Sequence, residues 1–154
     1  MNKKQDIYKI AGIIFIIDQI IKFFLNYFMK LYDSVEIIPG FFQIFFVKNT
    51  GAAFSILQDN TFLIIIITFC FLVFLNQYII KEKNSTKLSI LSFGMIMGGI
   101  FGNLFDRLIY RAVIDYLSFS FLGWNFPIFN FADISITVGV LFVLFELIFS
   151  KNKV

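Results

Sequence analysis

LSILSFGMIMGGIFGNLFDRLIY, residues 88–110, carries no charged side chain until Asp106 and Arg107. A helix needs roughly 17–25 mostly apolar residues to cross a bilayer, so this stretch predicts a membrane-spanning helix. Glycines recur along it at every fourth position: Gly94, Gly98 and Gly102. Because residues four apart share one face of a helix, these glycines predict a stripe against which a second helix packs closely.

Three further apolar stretches accompany it, at about 7–28, 61–80 and 133–149. The chain is 59% hydrophobic and 15% charged, with a mean hydropathy of +0.86, whereas soluble domains carry about 25% charged residues. The sequence therefore predicts an all-α membrane protein with four transmembrane helices. We expect one integral membrane domain over 1–154, with outer loops at about 29–60 and 111–132.

Basic residues predict the orientation of this domain. One set of helix ends carries Lys3, Lys4, Lys9, Lys81, Lys83, Lys87, Lys151 and Lys153. The opposite ends carry the smaller set Lys30, Lys48, Arg107 and Arg111. Because lysine and arginine concentrate on the cytoplasmic side, both termini are expected in the cytoplasm and both long loops outside.

The first outer loop contains a segment typical of short strands. Residues 35–44 are rich in β-branched and aromatic side chains and are interrupted by Pro39-Gly40, which predicts a hairpin or small sheet. Gly51 and Ala52 then form part of a small-residue turn. Only small side chains let another backbone approach closely, so we expect this turn to lie against a substrate chain.

Composition excludes several kinds of chemistry. The chain has no histidine, which removes Ser-His-Asp and Cys-His catalysis and any histidine-ligated metal site. Its single cysteine, Cys70, cannot form an intramolecular disulfide. The net charge of +3 comes from residues at helix ends and does not indicate nucleic acid. We expect neither a metal nor another cofactor.

Two aspartates at the ends of the second outer loop stand out. Asp115 lies in the extended stretch VIDY, and Asp133 lies where the last apolar run begins. Carboxylates at a membrane rim are costly to desolvate and so indicate a functional site. A pair that shared one proton would provide both a base and an acid, as hydrolysis of a peptide bond requires.

Asp133 also has a purely structural interpretation. Asn130 is a good N-cap for the last helix, and Asp133 would then be the third helical residue of a capping box. The helix N-terminus favours the ionised form of Asp133, which would make Asp115 the holder of a shared proton. Because two such groups titrate as a pair, the sequence leaves that assignment open.

Polar residues inside the helices are expected to support the site. Asp18 and Lys22, one turn apart, predict a self-neutralising pair. Asn103, Asp106 and Arg107 share one face of their helix, above the glycine stripe. They either support a site at the rim or simply satisfy one another and neighbouring helices.

Two other functions fit parts of the sequence. A transporter or channel could use membrane-embedded acids as a proton path, but four helices without an inverted repeat argue against it. A non-enzymatic assembly factor would use the glycine stripe for packing. It would have no reason to place two aspartates across one loop.

Five segments occur in a characteristic order: Asp18-Gln19 with Lys22, NTGAAFS (49–55), GGIFGNLFDR (98–107), VIDY (113–116) and PIFNFAD (127–133). Together they resemble lipoprotein signal peptidase, also called signal peptidase II, over nearly the whole chain. Two positions depart from the family pattern, which usually has glycine at Arg111 and phenylalanine at Tyr116.

The resemblance implies an aspartyl endopeptidase of the bacterial inner or cytoplasmic membrane. It would cut prolipoproteins on the N-terminal side of a diacylglyceryl-cysteine, with membrane lipid and the lipidated substrate as its partners. Asp115 and Asp133 would be the catalytic pair, and the outer strands would form a cradle beside them. The side chains implied to line or hold the site are Asn49, Asn103, Arg107 and Asn130.

Overall fold

A computed structural model describes residues 3–51, 60–82 and 85–150 of the chain. Its elements, in order, are α1 (Lys3–Phe28), β1 (Ser34–Ile38), β2 (Phe42–Asn49), α2 (Thr61–Lys81), α3 (Lys87–Tyr110), β3 (Val113–Phe121), β4 (Trp124–Asn125) and α4 (Phe131–Ser150). All four predicted helices are present, and α1 and α4 begin a few residues earlier than the sequence predicted.

Three of the described helices are long and apolar enough to cross a membrane: Thr61–Lys81, Lys87–Tyr110 and Phe131–Phe149. The remaining helix, α1, has 26 residues and buries two charged side chains, Asp18 and Lys22. Those charges interrupt its apolar face but are turned toward the other helices.

Helix α3 lies between α1 and α4 because its glycines let both approach. A β-carbon at Gly98 would lie 2.6 Å from the carbonyl oxygen of Ala11 in α1. A β-carbon at Gly99 would lie 2.5 Å from the carbonyl oxygen of Ala132 in α4. The predicted packing stripe is therefore confirmed, and Gly99 adds a second contact face that the four-residue spacing did not indicate.

Four strands form one antiparallel sheet in the order β1-β2-β3-β4. The predicted hairpin is confirmed as β1 and β2. The prediction that 111–132 is a loop was wrong in part, because β3 and β4 occupy much of it. Strand β3 pairs with β2, so that Val47 lies opposite Asp115 and Asn49 opposite Val113.

The chain returns from the sheet to α4 through one bridge to β3. Leu117 donates its N–H to the carbonyl of Phe129 at 2.8 Å, and Phe129 donates to the carbonyl of Leu117 at 3.1 Å. This pair of bonds holds the segment before α4 alongside β3. The first turn of α4 consequently lies beside the strand that carries Asp115.

The two departures from the family pattern have visible structural roles. Arg111 ends α3 in the left-handed conformation, with φ of 59°, which glycine adopts without strain. The Tyr116 hydroxyl accepts a hydrogen bond at 3.2 Å from the backbone N–H of Phe131, at the start of α4. The Tyr116 hydroxyl thus satisfies one of the unpaired N–H groups of that helix.

The packing of α3 against α1 predicts a sharp difference between two glycines. Gly98→Ala should lower the melting temperature in detergent, because its new methyl group would press on the Ala11 carbonyl and force the helices apart. Gly12→Ala, in α1, should leave the melting temperature unchanged, because its new β-carbon would meet no described atom within 4 Å beyond its chain neighbours and the backbone of its own helix. Equal melting temperatures for the two variants would contradict the close α1–α3 contact.

Candidate active site

Asn130 begins α4 and forms the capping box that the sequence predicted. Its side-chain oxygen accepts the backbone N–H of Asp133 at 3.0 Å. In return, Asp133 Oδ2 accepts the backbone N–H of Asn130 at 3.1 Å. Asp133 is therefore a capping residue, and this role fixes the position of its carboxylate at the start of α4.

The side-chain amide group of Asn130 reaches from α4 to β3. Its Nδ2 lies 2.7 Å from Asp115 Oδ1, 3.2 Å from the carbonyl oxygen of Ile114 and 3.1 Å from Asn103 Oδ1. Asn130 thereby contacts both aspartates, one with its side chain and the other through the capping box. The two predicted acids therefore lie at one site, and Asn130 is hydrogen-bonded to each of them.

Asp115 lies in β3 and only 3% of its surface is exposed. Asn49, in the neighbouring strand, donates Nδ2 to Asp115 Oδ2 at 3.0 Å. Burial, and next the negative charge of Asp133, raises the pKa of Asp115 to about 7, although the amides of Asn49 and Asn130 and the charge of Lys22 oppose the shift. Asp115 is suited to hold a proton near neutral pH.

Asp133 is partly exposed, unlike Asp115. Asn103 in α3 donates Nδ2 to Asp133 Oδ1 at 2.8 Å. Both oxygens of Asp133 therefore accept N–H groups, one from Asn103 and one from the backbone of Asn130. Such donors stabilise the ionised form of a carboxylate.

A buried ionic cluster lies beneath this pair. The predicted Asp18–Lys22 pair is confirmed at 2.8 Å, and Lys22 Nζ also lies 2.7 Å from Asp106 Oδ2. Asp106 Oδ2 accepts the backbone N–H of Ile114 at 3.2 Å. Asp106 thus has partners on α1 and β3, while the supporting role expected for it stays a prediction.

Arg107 lies on the same side of α3 and contacts the turn after β2. Its Nη2 donates to the carbonyl oxygen of Gly51 at 3.0 Å, and its Nη1 to that of Asn103 at 3.4 Å. The backbone N–H of Gly51 donates to Asn49 Oδ1 at 3.0 Å. Ala52, predicted to lie in the same turn, falls outside the described residues.

Sequence reasoning missed the contacts of Gln19 and part of the contacts of Lys22. Gln19 donates Nε2 to Asp106 Oδ1 at 3.0 Å and to Asp18 Oδ2 at 3.1 Å. Lys22 reaches Asn103 Oδ1 at 3.0 Å. A signal was present, because the apolar stretches hold two acids, Asp18 and Asp106, but the i, i+4 spacing of Asp18 and Lys22 indicated only the local pair.

The chain is similar to known proteins over most of its length. The chain matches the family model described as signal peptidase (SPase) II over residues 10–149. It is 37% identical over 144 residues to a lipoprotein signal peptidase of Staphylococcus haemolyticus, covering 94% of this chain and 91% of the relative. It is 38% identical over 135 residues to one of Wigglesworthia glossinidia brevipalpis, covering 86% and 88%. A bacterial membrane enzyme structure obtained by the in meso method at 2.3 Å aligns with a TM-score of 0.86 at 34% identity, covering 94% of this chain and 89% of that one.

The raised pKa of Asp115 predicts a pH dependence of stability. Its value of about 7 exceeds the ordinary 3.8, so between these limits the folded state holds a proton that the unfolded state has released. The contribution of Asp115 to the free energy of unfolding therefore falls as pH rises from about 4 to about 7. We expect the melting temperature of the wild type to fall relative to that of Asp115→Asn across this window. Parallel curves for the two proteins would contradict the raised pKa.

Proposed function

Because the chain belongs to the signal peptidase II family, an aspartic peptidase family that removes signal peptides from prolipoproteins, we propose that Asp115 and Asp133 are its catalytic dyad. The observation that carries this proposal is the Asn130 contact, which ties both carboxylates to one residue. The family assignment also decides against the transporter and assembly-factor interpretations.

Asp133 acts as the base in the first step. Its carboxylate takes a proton from water while the water oxygen bonds to the carbonyl carbon of the scissile peptide. At the same time the proton held by Asp115 passes to the carbonyl oxygen, which gives a neutral tetrahedral diol. Asp133 is partly exposed and Asp115 is buried. This difference favours Asp133 as the base and Asp115 as the acid, because water reaches the more exposed group.

The second step reverses the proton transfers. The C–N bond breaks, the leaving nitrogen takes the proton from Asp133, and one hydroxyl of the diol returns its proton to Asp115. The products are a new carboxyl group on the signal peptide and a free amino group on the lipoprotein. Both aspartates end as they began, so the cycle requires protons and water only.

The asparagines fix the acids in place through both steps. Asn49 and Asn130 donate to the two oxygens of Asp115, and Asn103 donates to Asp133. Directed N–H groups of this kind hold the carboxylates in orientation without becoming charged themselves. Gly51 and Arg107 lie beside Asn49, where the substrate backbone would pass.

We assign the site to the extracytoplasmic face and all four helices to the bilayer. Lys3 donates to the carbonyl oxygen of Ser85 at 2.8 Å, and Thr86 donates to Glu146 near the end of α4. The start of α1 and the end of α4 thus lie beside the lysine-rich connection between α2 and α3. The positive-inside rule supports a cytoplasmic location for that end and an outer location for the aspartates.

The lipid attached to the substrate cysteine supplies much of the recognition in this proposal. Exposed apolar side chains surround the outer ends of α1 and α3, including Phe28 and Ile109. Acyl chains can lie against this surface in the bilayer while the scissile bond reaches the rim. Burial of an acyl chain contributes about 0.8 kcal/mol per methylene.

Substitution of either aspartate tests the dyad. Asp115→Asn and Asp133→Asn should each reduce cleavage of a diacylglyceryl prolipoprotein peptide by at least about a thousandfold, because an amide cannot exchange the proton. Asp6→Asn, a surface acid paired with Lys9, is the matched control and should cleave normally. Near-normal turnover by a folded Asp115 or Asp133 variant would refute the dyad.

Initial rates on one peptide with and without its diacylglyceryl group test the recognition claim. We expect kcat/KM to fall at least about a hundredfold without the lipid, since the acyl chains then contribute no binding. Equal rates on the two peptides would point instead to a general membrane protease.

A further inference from the structure

We propose that Lys22 is a positioning residue for the dyad, because it fixes the orientation of the Asn103 side-chain amide and so presents an N–H group to Asp133. This inference rests on the proposed catalytic roles of Asp115 and Asp133. It gives a function to a buried ammonium group that the proton transfers themselves do not use.

All three hydrogens of Lys22 have acceptors. Nζ lies 2.8 Å from Asp18 Oδ2, 2.7 Å from Asp106 Oδ2 and 3.0 Å from Asn103 Oδ1. Only 1% of the residue is exposed. A lysine this deeply buried is costly unless its charge is paired and all its N–H groups are used, and both conditions are met here.

The contact with Asn103 has a directional consequence. An ammonium group donates hydrogen bonds and cannot accept them. The atom of Asn103 that faces Lys22 must therefore be its oxygen, and Asn130 also donates to that oxygen at 3.1 Å. The nitrogen of Asn103 is then turned toward Asp133 Oδ1, at 2.8 Å.

Asn103 differs from the other two site asparagines in the groups that donate hydrogen bonds to its side-chain oxygen. Asn130 is oriented by the backbone N–H of Asp133, and Asn49 by the backbone N–H of Gly51. Among the described residues, the donors to the oxygen of Asn103 are both side chains, those of Lys22 and Asn130. Rotation of this amide by a half-turn would place an oxygen against the Asp133 carboxylate, which repels it.

The charge of Lys22 also acts on the dyad, because it opposes the raised pKa of Asp115. The lysine shares its cluster with two carboxylates, those of Asp18 and Asp106. The charged and titratable groups around Asp133 are Asp18 and Lys22 on α1, Asp106 and Arg107 on α3, and Asp115 and Tyr116 on β3. A test must therefore remove the lysine without changing the net charge of the cluster.

A double-mutant cycle with Asn103 provides that test. Lys22→Met combined with Asp106→Asn removes one positive and one negative charge, and Asp106→Asn alone is the matched control that keeps the lysine. We expect the paired variant to lower kcat by about ten- to a hundredfold at unchanged KM, and Asn103→Ala to do the same. Adding Asn103→Ala to the paired variant should cause no further loss, because Lys22 acts through Asn103.

Losses in kcat that multiply in the combined variant would overturn the proposal, since Lys22 would then act independently of Asn103. If the paired variant does not fold, Lys22→Met combined with Asp18→Asn takes its place in the cycle, because it also removes one positive and one negative charge. A loss of kcat that Asn103→Ala does not deepen supports the proposal, and wild-type kcat overturns it. Full activity of Asp115→Asn in the same assay would instead refute the proposed dyad.

Discussion

The end of the molecule that carries Asp115 and Asp133 depends on one side-chain amide, that of Asn130. Its oxygen caps α4, and its nitrogen lies against Asp115 and the backbone of β3. At a membrane rim, polar groups must find partners within the protein, because unpaired ones cost several kcal/mol. Asn130 brings the two acids together by forming hydrogen bonds to a helix start, a strand and a carboxylate at once. The same hydrogen bonds therefore cap α4 and build the site. Asp133 can be both a capping residue and a functional acid.

Close helix packing provides the support for that amide. Glycines on two sides of α3 admit α1 and α4, and a β-carbon at Gly102 would lie 2.5 Å from Asp18 Oδ2. Asp18 accepts the backbone N–H of Ala132 in the first turn of α4, at 3.1 Å. The same acid pairs with Lys22, whose ammonium group reaches Asn103 and through it Asp133. The glycine stripe is thus linked to the proposed dyad by successive contacts, because it lets the helices pack closely around the ionic cluster that reaches Asp133.

Local patterns in the sequence were enough to predict the helices, the β1–β2 hairpin and the capping box, since each depends on residues close in the chain. Strand β3 was missed beyond its first residues, because its pairing with β2 joins segments separated by two helices. Lys22 was assigned correctly to Asp18, yet its bonds to Asp106 and Asn103 depend on how α1 packs against α3. Contacts between side chains on different helices depend on how those helices pack, and an i, i+4 spacing within one helix does not predict that packing.

The central claim is that Asp115 and Asp133 work as a pair in which Asp115 holds the proton. The most direct test is the pH dependence of kcat/KM on a lipidated peptide. The account predicts a bell-shaped profile, with activity lost on the alkaline side as Asp115, whose pKa is raised to about 7, gives up its proton. Activity is lost on the acid side as the base is protonated. Activity that rises without limit through pH 9 would contradict the account, because no protonated carboxyl group would then be required.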